Sequence, residues 1–316
     1  MIKRQYRTSL ALALACGVLL VIAGVALAGE LLSSPARATV GAPPAELAAR
    51  RVVLTHGEQM HAHGWFVPGQ PGHGAVLLLL HGVRADRRQM LRRARMLQAD
   101  GRAALLIDLP AHGESTGDRI TFGARESTAA AAALAWLHAR LPSERIGVIG
   151  VSLGAASLVL SDLPVPAHAV VLESMYPTIE EAVENRLAIR LGTLGRSLEP
   201  LLLAQLPFRL GVGADDLRPI DHIGRLGVPV LVASGALDEH TRLSETKRLH
   251  AAARAPKQLW VVPGAAHVDL CAFDPDTYGR VVLGFLAHHL DVHANTRMAT
   301  RVRGATAPHA NPHASR

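Results

Sequence analysis

Aromatic side chains make up only 3% of the 316 residues, and cysteine occurs twice. So few rings cannot build the stacking platforms that hold single-stranded nucleic acid. Two thiols, Cys16 and Cys271, cannot frame a disulfide scaffold or a four-ligand zinc knot. His61-x-His63 has no third ligand nearby and reads as an exposed hairpin rather than a metal site. Charge is also sparse, at 19% against 49% hydrophobic residues, which excludes a disordered chain, a collagen-like fibre and a coiled coil. Neither a G-x-G-x-x-G nor a P-loop follows any apolar run, and no cofactor or metal is expected. What remains is a chain able to bury one large α/β core without a second domain.

The net charge of +7 raises an anionic partner, but the excess is local. It sits at Lys3, Arg4 and Arg7, at Arg297, Arg301, Arg303 and Arg316, and between Arg84 and Arg95. Arg87, Arg88, Arg92, Arg93 and Arg95 read as a solvated helix face, and nucleic acid is not expected as a partner.

From Thr8 to Gly29 the chain runs 22 residues without a charge, long enough to span a bilayer. Ala26-Leu27-Ala28 is an acceptable small-x-small cleavage site, but the apolar core exceeds that of an ordinary secretory signal, so a retained anchor over residues 1–29 is favoured over a cleaved one. A lipoprotein signal at Cys16 fits poorly, because the following residues stay apolar. Either surviving reading keeps the basic end inside and exports the folded part, which is then membrane-anchored or, after cleavage, secreted or periplasmic. Residues 30–45, rich in Pro, Ala and Ser, read as a linker, and the Arg- and His-rich residues 294–316 as a disordered tail.

Residues 46–293 alternate short β-branched or Leu-rich runs with helical stretches, the pattern of a mostly parallel sheet covered by helices. Arg51 to Thr55 and His63 to Val67 read as an edge hairpin. Buried strands follow at Ala75 to Leu80, Ala103 to Leu109, Arg145 to Val151, Ala169 to Leu172, Val228 to Ala233 and Gln258 to Val262. Asp86 with Gln89, and Thr178 with Glu181, have capping-box spacing. Between residues 177 and 212 there is no strand pattern, only Leu-rich helical sequence that reads as a lid inserted into the alternation. Leu202 within it and Tyr176 just before it are the candidate substrate-binding residues.

Gly150-Val151-Ser152-Leu153-Gly154 is a G-x-S-x-G pentapeptide, of which a chain of this composition holds roughly 0.1 by chance. Its flanks are the stronger signal: a buried-strand run leads in and a helical run leads out, the setting of a serine on a strained strand-to-helix turn. A serine hydroxyl needs a base, and the base needs a carboxylate to hold its tautomer. Asp238 and His267 each follow a strand by a short loop and so reach the same sheet edge as Ser152. Glu173 also ends a strand and remains an alternative carboxylate. The backbone N–H of Leu153 and that of Val83, in the His81-Gly82-Val83 turn, are the two donors expected for a developing oxyanion.

In order and spacing, the His81-Gly82 turn, the Asp108 to Ser115 loop, the Gly150 to Gly154 elbow and the turns ending at Asp238 and His267 resemble the α/β-hydrolase superfamily of serine hydrolases over about residues 50–292. The resemblance implies Ser152 as nucleophile, His267 as base and Asp238 as acid, with Leu153 and Val83 as oxyanion donors. It also implies that His112 is structural or binding rather than catalytic. Lipases with a longer glycine run at the oxyanion turn differ here. The expected activity is hydrolysis of ester, thioester or peptide-like acyl bonds of a small-molecule substrate, esterase- or lipase-like, through an acyl-enzyme. The rivals are an acyltransferase with the same triad and a non-catalytic binding protein on the same scaffold.

Overall fold

The structure is a computed structural model that describes residues 2–56, 60–70, 75–161 and 167–291, so the tail expected to be disordered lies outside the described residues. The strands are β1 (Arg50–His56), β2 (Met60–Val67), β3 (Ala75–Leu80), β4 (Ala103–Ile107), β5 (Arg145–Val151), β6 (Ala169–Glu173), β7 (Val230–Gly235) and β8 (Lys257–Val262). They form one eight-stranded sheet in the order β8-β7-β6-β5-β3-β4-β2-β1. Strands β3 to β8 run parallel to one another, and β2 alone runs against both β4 and β1. Every residue of β3 is buried, because the sheet is covered on both faces. Val76, Leu78 and Leu80 point into one core and Ala75, Leu77 and Leu79 into the other, the two-residue period of a strand sorted onto two faces.

Helices α2 (Leu91–Ala99), α11 (Leu270–Phe273) and α12 (Pro275–Leu290) close one face, and α3 (Glu126–Arg140), α4 (Leu153–Val159) and α10 (Leu243–Ala252) the other. The lid stretch is helical: α5 (Ile179–Leu191), α6 (Thr193–Arg196), α7 (Glu199–Leu203) and α8 (Leu206–Leu210), followed by α9 (Pro219–His222). Thr178 caps α5 by accepting from the Glu181 N–H at 3.2 Å, as its spacing predicts.

Helix α1 (Ile2–Ser33) is the long apolar N-terminal segment, with mean hydropathy reaching 2.8 between Ser9 and Ser33. The stretch expected as a free linker is instead laid on the domain. Ala36 and Arg37 pair in parallel with His112 and Gly113, and Val40 and Gly41 donate their N–H groups to Glu114 Oε1. The strip binds through the backbone N–H groups of Ala36, Ala38, Val40 and Gly41, each satisfied on the loop beneath it.

Candidate active site

Ser152 stands between β5 and α4 with φ 48° and ψ −107°, a conformation L-residues rarely adopt. Its neighbours make the turn possible. A Cβ at Gly154 would lie 2.5 Å from Leu80 O, and one at Gly150 would lie 2.7 Å from the Ala155 backbone. The Ser152 N–H donates to Glu173 O at 2.7 Å, which ties the elbow to the end of β6. Its hydroxyl, at the cavity wall, forms no hydrogen bond with any described residue.

Asp238 follows β7 on a short loop and is buried. Its Oδ1 accepts from the N–H groups of His240 (2.9 Å) and Thr241 (2.8 Å), which leaves Oδ2 aimed at His267 Nδ1, 2.8 Å away. With Nδ1–H donating a hydrogen bond to that carboxylate, Nε2 is the basic nitrogen of the ring. The structure thus joins Asp238 to His267, while no hydrogen bond yet joins His267 to Ser152, as is common before substrate tightens such a site.

Glu173, the alternative carboxylate, is occupied elsewhere. Its oxygens accept from Arg93 (3.1 and 2.6 Å) and from the Tyr278 hydroxyl (2.5 Å), and Arg93 also pairs with Asp269. The solvated-face reading of the arginine run is corrected at two positions, because Arg93 and Arg87 are both buried. Arg87 bonds Asp108 and Glu114 and locks the loop that carries His112. These two charges face inward because the buried carboxylates of Asp108 and Glu173, distant in sequence, meet them.

Sequence reasoning missed His240. Its ring packs against His267 at 4.8 Å between centroids, and burial, with the neighbouring His267, lowers its pKa. Asp238, His240 and His267 hold ligand atoms within 4.8 Å of one another, a spacing a cation can bridge. The Asp238 oxygens, however, are already taken by two N–H groups and the imidazole.

The turn after β3 is held from both sides of Val83. The Gly82 N–H donates to Gln89 Oε1 at 2.7 Å, and the Arg84 N–H donates to His112 Nε2 at 3.0 Å. The N–H groups of Val83 and Leu153 donate to no described residue, and both residues line the cavity with Ser152. Gln89 therefore does not complete the capping box expected with Asp86. Asp86 caps by accepting from the Arg88 N–H, and the Gln89 amide turns to the loop. His81 accepts from the Leu109 N–H at Nε2 and bonds Gly82 O through Nδ1. Burial, and then repulsion from the adjacent His112, bring its pKa down to about 3. His112 is likewise lowered by burial, so both rings stay neutral supports of the turn.

A cavity of about 900 Å³ opens beside Ser152, Leu153, Val83 and His240, lined mainly by apolar side chains. Leu202 and Tyr176, singled out from the sequence, both line it, as do Ile179, Val183 and Leu187 of α5. Tyr176 spends its hydroxyl on Phe122 O and shows the cavity its ring, while burial raises its pKa. The wall contributed by Ala28 to Ser33 of α1 was not expected.

The model of the alpha/beta hydrolase family matches residues 77–282. An uncharacterized protein of Mycobacterium tuberculosis is 31% identical over 246 residues, covering 77% of this chain and 79% of the relative. The uncharacterized protein YfhR of Salmonella typhimurium is 26% identical over 241 residues, covering 74% and 79%. Among solved structures, an esterase of Pyrococcus furiosus superposes with a TM-score of 0.68 at 22% identity, covering 82% of this chain and 98% of that one. An esterase of Thermogutta terrifontis gives 0.57 at 17% identity, covering 76% and 100%. At these identities the solved structures establish the shared fold.

Proposed function

Because the chain belongs to the alpha/beta hydrolase family, we propose that it is a serine hydrolase that cleaves carboxylic esters through an acyl-enzyme, with Ser152 as nucleophile, His267 as base and Asp238 as its carboxylate. The observation that carries this reading is one cavity lined by a serine on a strained elbow and by two residues with free N–H groups, beside a histidine oriented by a buried aspartate. The esterases that share the fold support the same class of reaction.

Ser152 Oγ attacks the ester carbonyl carbon while its proton passes to His267 Nε2. The new negative charge on oxygen is held by the N–H groups of Leu153 and Val83. Collapse breaks the carbon–oxygen bond, and the departing alcohol takes the proton from Nε2. Water then adds to the acyl-serine, giving its proton to Nε2, and the acid leaves as Ser152 recovers that proton. Asp238 stabilises the imidazolium at each stage without itself being protonated.

The N-terminal helix, long and apolar enough to cross a membrane, is read as the anchor, with Lys3, Arg4 and Arg7 inside and the hydrolase domain exported. The test of the activity is labelling with a fluorophosphonate probe alongside hydrolysis of a butyrate ester. Wild type is expected to label and turn over, and Ser152→Ala to do neither. Equal labelling of the two proteins would refute the assignment.

A further inference from the structure

The last two turns of α1 are bound to the domain through their backbone as well as their side chains. Arg209 of the lid donates to Ala26 O at 2.7 Å, and Gln205 donates to Val25 O at 3.1 Å. Glu30 is held between Arg119 (2.5 Å) and Arg209 (2.6 Å). The carbonyls that a helix leaves open at its end also find partners: Leu31 O accepts from Arg84, and Ser33 O from the Ile120 N–H. Cleavage after Ala28 would remove the Ala26 and Val25 carbonyls held by Arg209 and Gln205, leaving Arg209 only its Glu30 contact on α1, and would take away the first residue of the cavity wall.

The length of the helix sets where the bilayer ends. Twenty-two uncharged residues at about 1.5 Å each span about 33 Å, close to the ~30 Å hydrocarbon core. The uncharged run closes at Gly29, and the cavity is lined from Ala28 to Ser33. The wall of the cavity therefore begins where the hydrocarbon stops. Beside it the lid exposes Leu201 (46%), one turn before Gln205, and Phe208 (92%), next to Arg209. Large apolar side chains left in the open next to a membrane-spanning helix are stable when they dip into the same membrane.

Resting on the reading of Ser152 as an acyl-transfer nucleophile, we propose that α1 is a retained wall of the active-site cavity and that the substrate is a long-chain acyl ester resident in the bilayer, which slides into the cavity between α1 and the lid. The acyl chain exchanges one apolar surrounding for another, so only the ester group has to leave the interface to reach Ser152. Water completes the reaction, giving a fatty acid and the alcohol that carried it.

The test uses the full chain, reconstituted in phosphatidylcholine vesicles, with two fluorogenic esters of the same leaving group: an oleate held in the bilayer and a butyrate in the buffer. Wild type is expected to cleave both. The double variant Leu201→Asp, Phe208→Asp is expected to lose at least tenfold on the oleate while butyrate turnover stays within twofold, which also reports a folded site. Intact mass of the membrane-extracted protein is expected to include the segment before Gly29. A mature chain starting at Gly29, no oleate cleavage by wild type, an unchanged oleate rate in the variant, or an equal fall on both esters would each overturn the proposal. Butyrate cleavage that depends on Ser152 but comes with no oleate cleavage would leave the hydrolase reading intact and sink only the membrane route. No cleavage of either ester would remove both.

Discussion

Ser152 is held in a backbone conformation that costs of order 1–3 kcal/mol, and the glycines at 150 and 154 are what let the two backbones close around it. Its replacement by alanine is expected to leave a folded protein with ester turnover at least ~10³-fold lower, since the covalent path is gone. Near wild-type rates in that variant would reject Ser152 as nucleophile. The two carboxylates beside the site predict opposite phenotypes. Asp238→Asn keeps the shape but withdraws the charge that stabilises the His267 imidazolium, and should lower kcat by up to ~10⁴-fold with little change in melting temperature. Glu173→Gln should instead cost about 3–5 kcal/mol of stability, because it leaves the buried Arg93 short of its partner, while the protein that remains folded retains most of its turnover. Steady-state kinetics and thermal melts on the same two preparations decide between these outcomes, and the reverse ranking would move the carboxylate role to Glu173.

At the scale of elements, the strands and the turn after β3 make a rigid floor, and the helices between residues 177 and 212 make an apolar roof. Ile179, Val183 and Leu187 recur every four residues along α5 and present one stripe to the cavity, and Leu202 of α7 joins it. Burying each added methylene of an acyl chain is worth about 0.8 kcal/mol, or up to about fourfold in kcat/KM per carbon until the cavity fills. Hexanoate esters are therefore expected to exceed butyrate, and butyrate to exceed acetate. The readout for Leu202→Asp is the slope of log kcat/KM against chain length, which should flatten. An unaltered slope would mean that the lid does not select the acyl group.

For the whole molecule, the supports of the turn after β3 link stability to pH. His81 is held down to about 3 by burial and by its neighbour His112, whereas a histidine in the unfolded chain titrates near 6.5. Between those values the unfolded chain binds more protons than the folded one, so stability is full above about pH 6.5 and declines as pH falls toward 3. Glu114 acts in a lower window. Partial burial pushes its pKa up, but Arg87 and the N–H groups of Gly41 and Val40 hold it down to about 2, so its contribution fades only as pH falls below its ordinary value near 4.5. Denaturant unfolding at pH 6.5, 5.5 and 4.5 is expected to show a steady loss, and His81→Gln should make that loss shallower by about 1.4 kcal/mol per pH unit, the value of one proton. A slope untouched by the substitution would show that His81 is not the group being titrated.

The fold class and the positions of Ser152, Asp238, His267 and Val83 could be read from the chain because each depends on local pattern. Buried strands announce themselves as short apolar runs, and a residue at a fixed offset from such a run arrives at a known edge of the sheet. Which of Asp238 and Glu173 meets His267 could not be read, since both lie at the carboxyl edge of the sheet. Packing decides that contact: Arg93 and Tyr278 lie 80 and 105 residues from Glu173 along the chain and occupy its oxygens, while the Asp238 loop leaves one oxygen for His267. The burial of Arg87 and the docking of residues 34–41 on the Asp108 to Ser115 loop were hidden for the same reason. The wall that α1 lends to the cavity is a further case, because its apolar run reads identically whether the helix stands free or leans on a lid 180 residues away. Periodicity records which face of an element is apolar, whereas partners distant in sequence meet only when the elements pack, and their meeting leaves no mark in either segment alone.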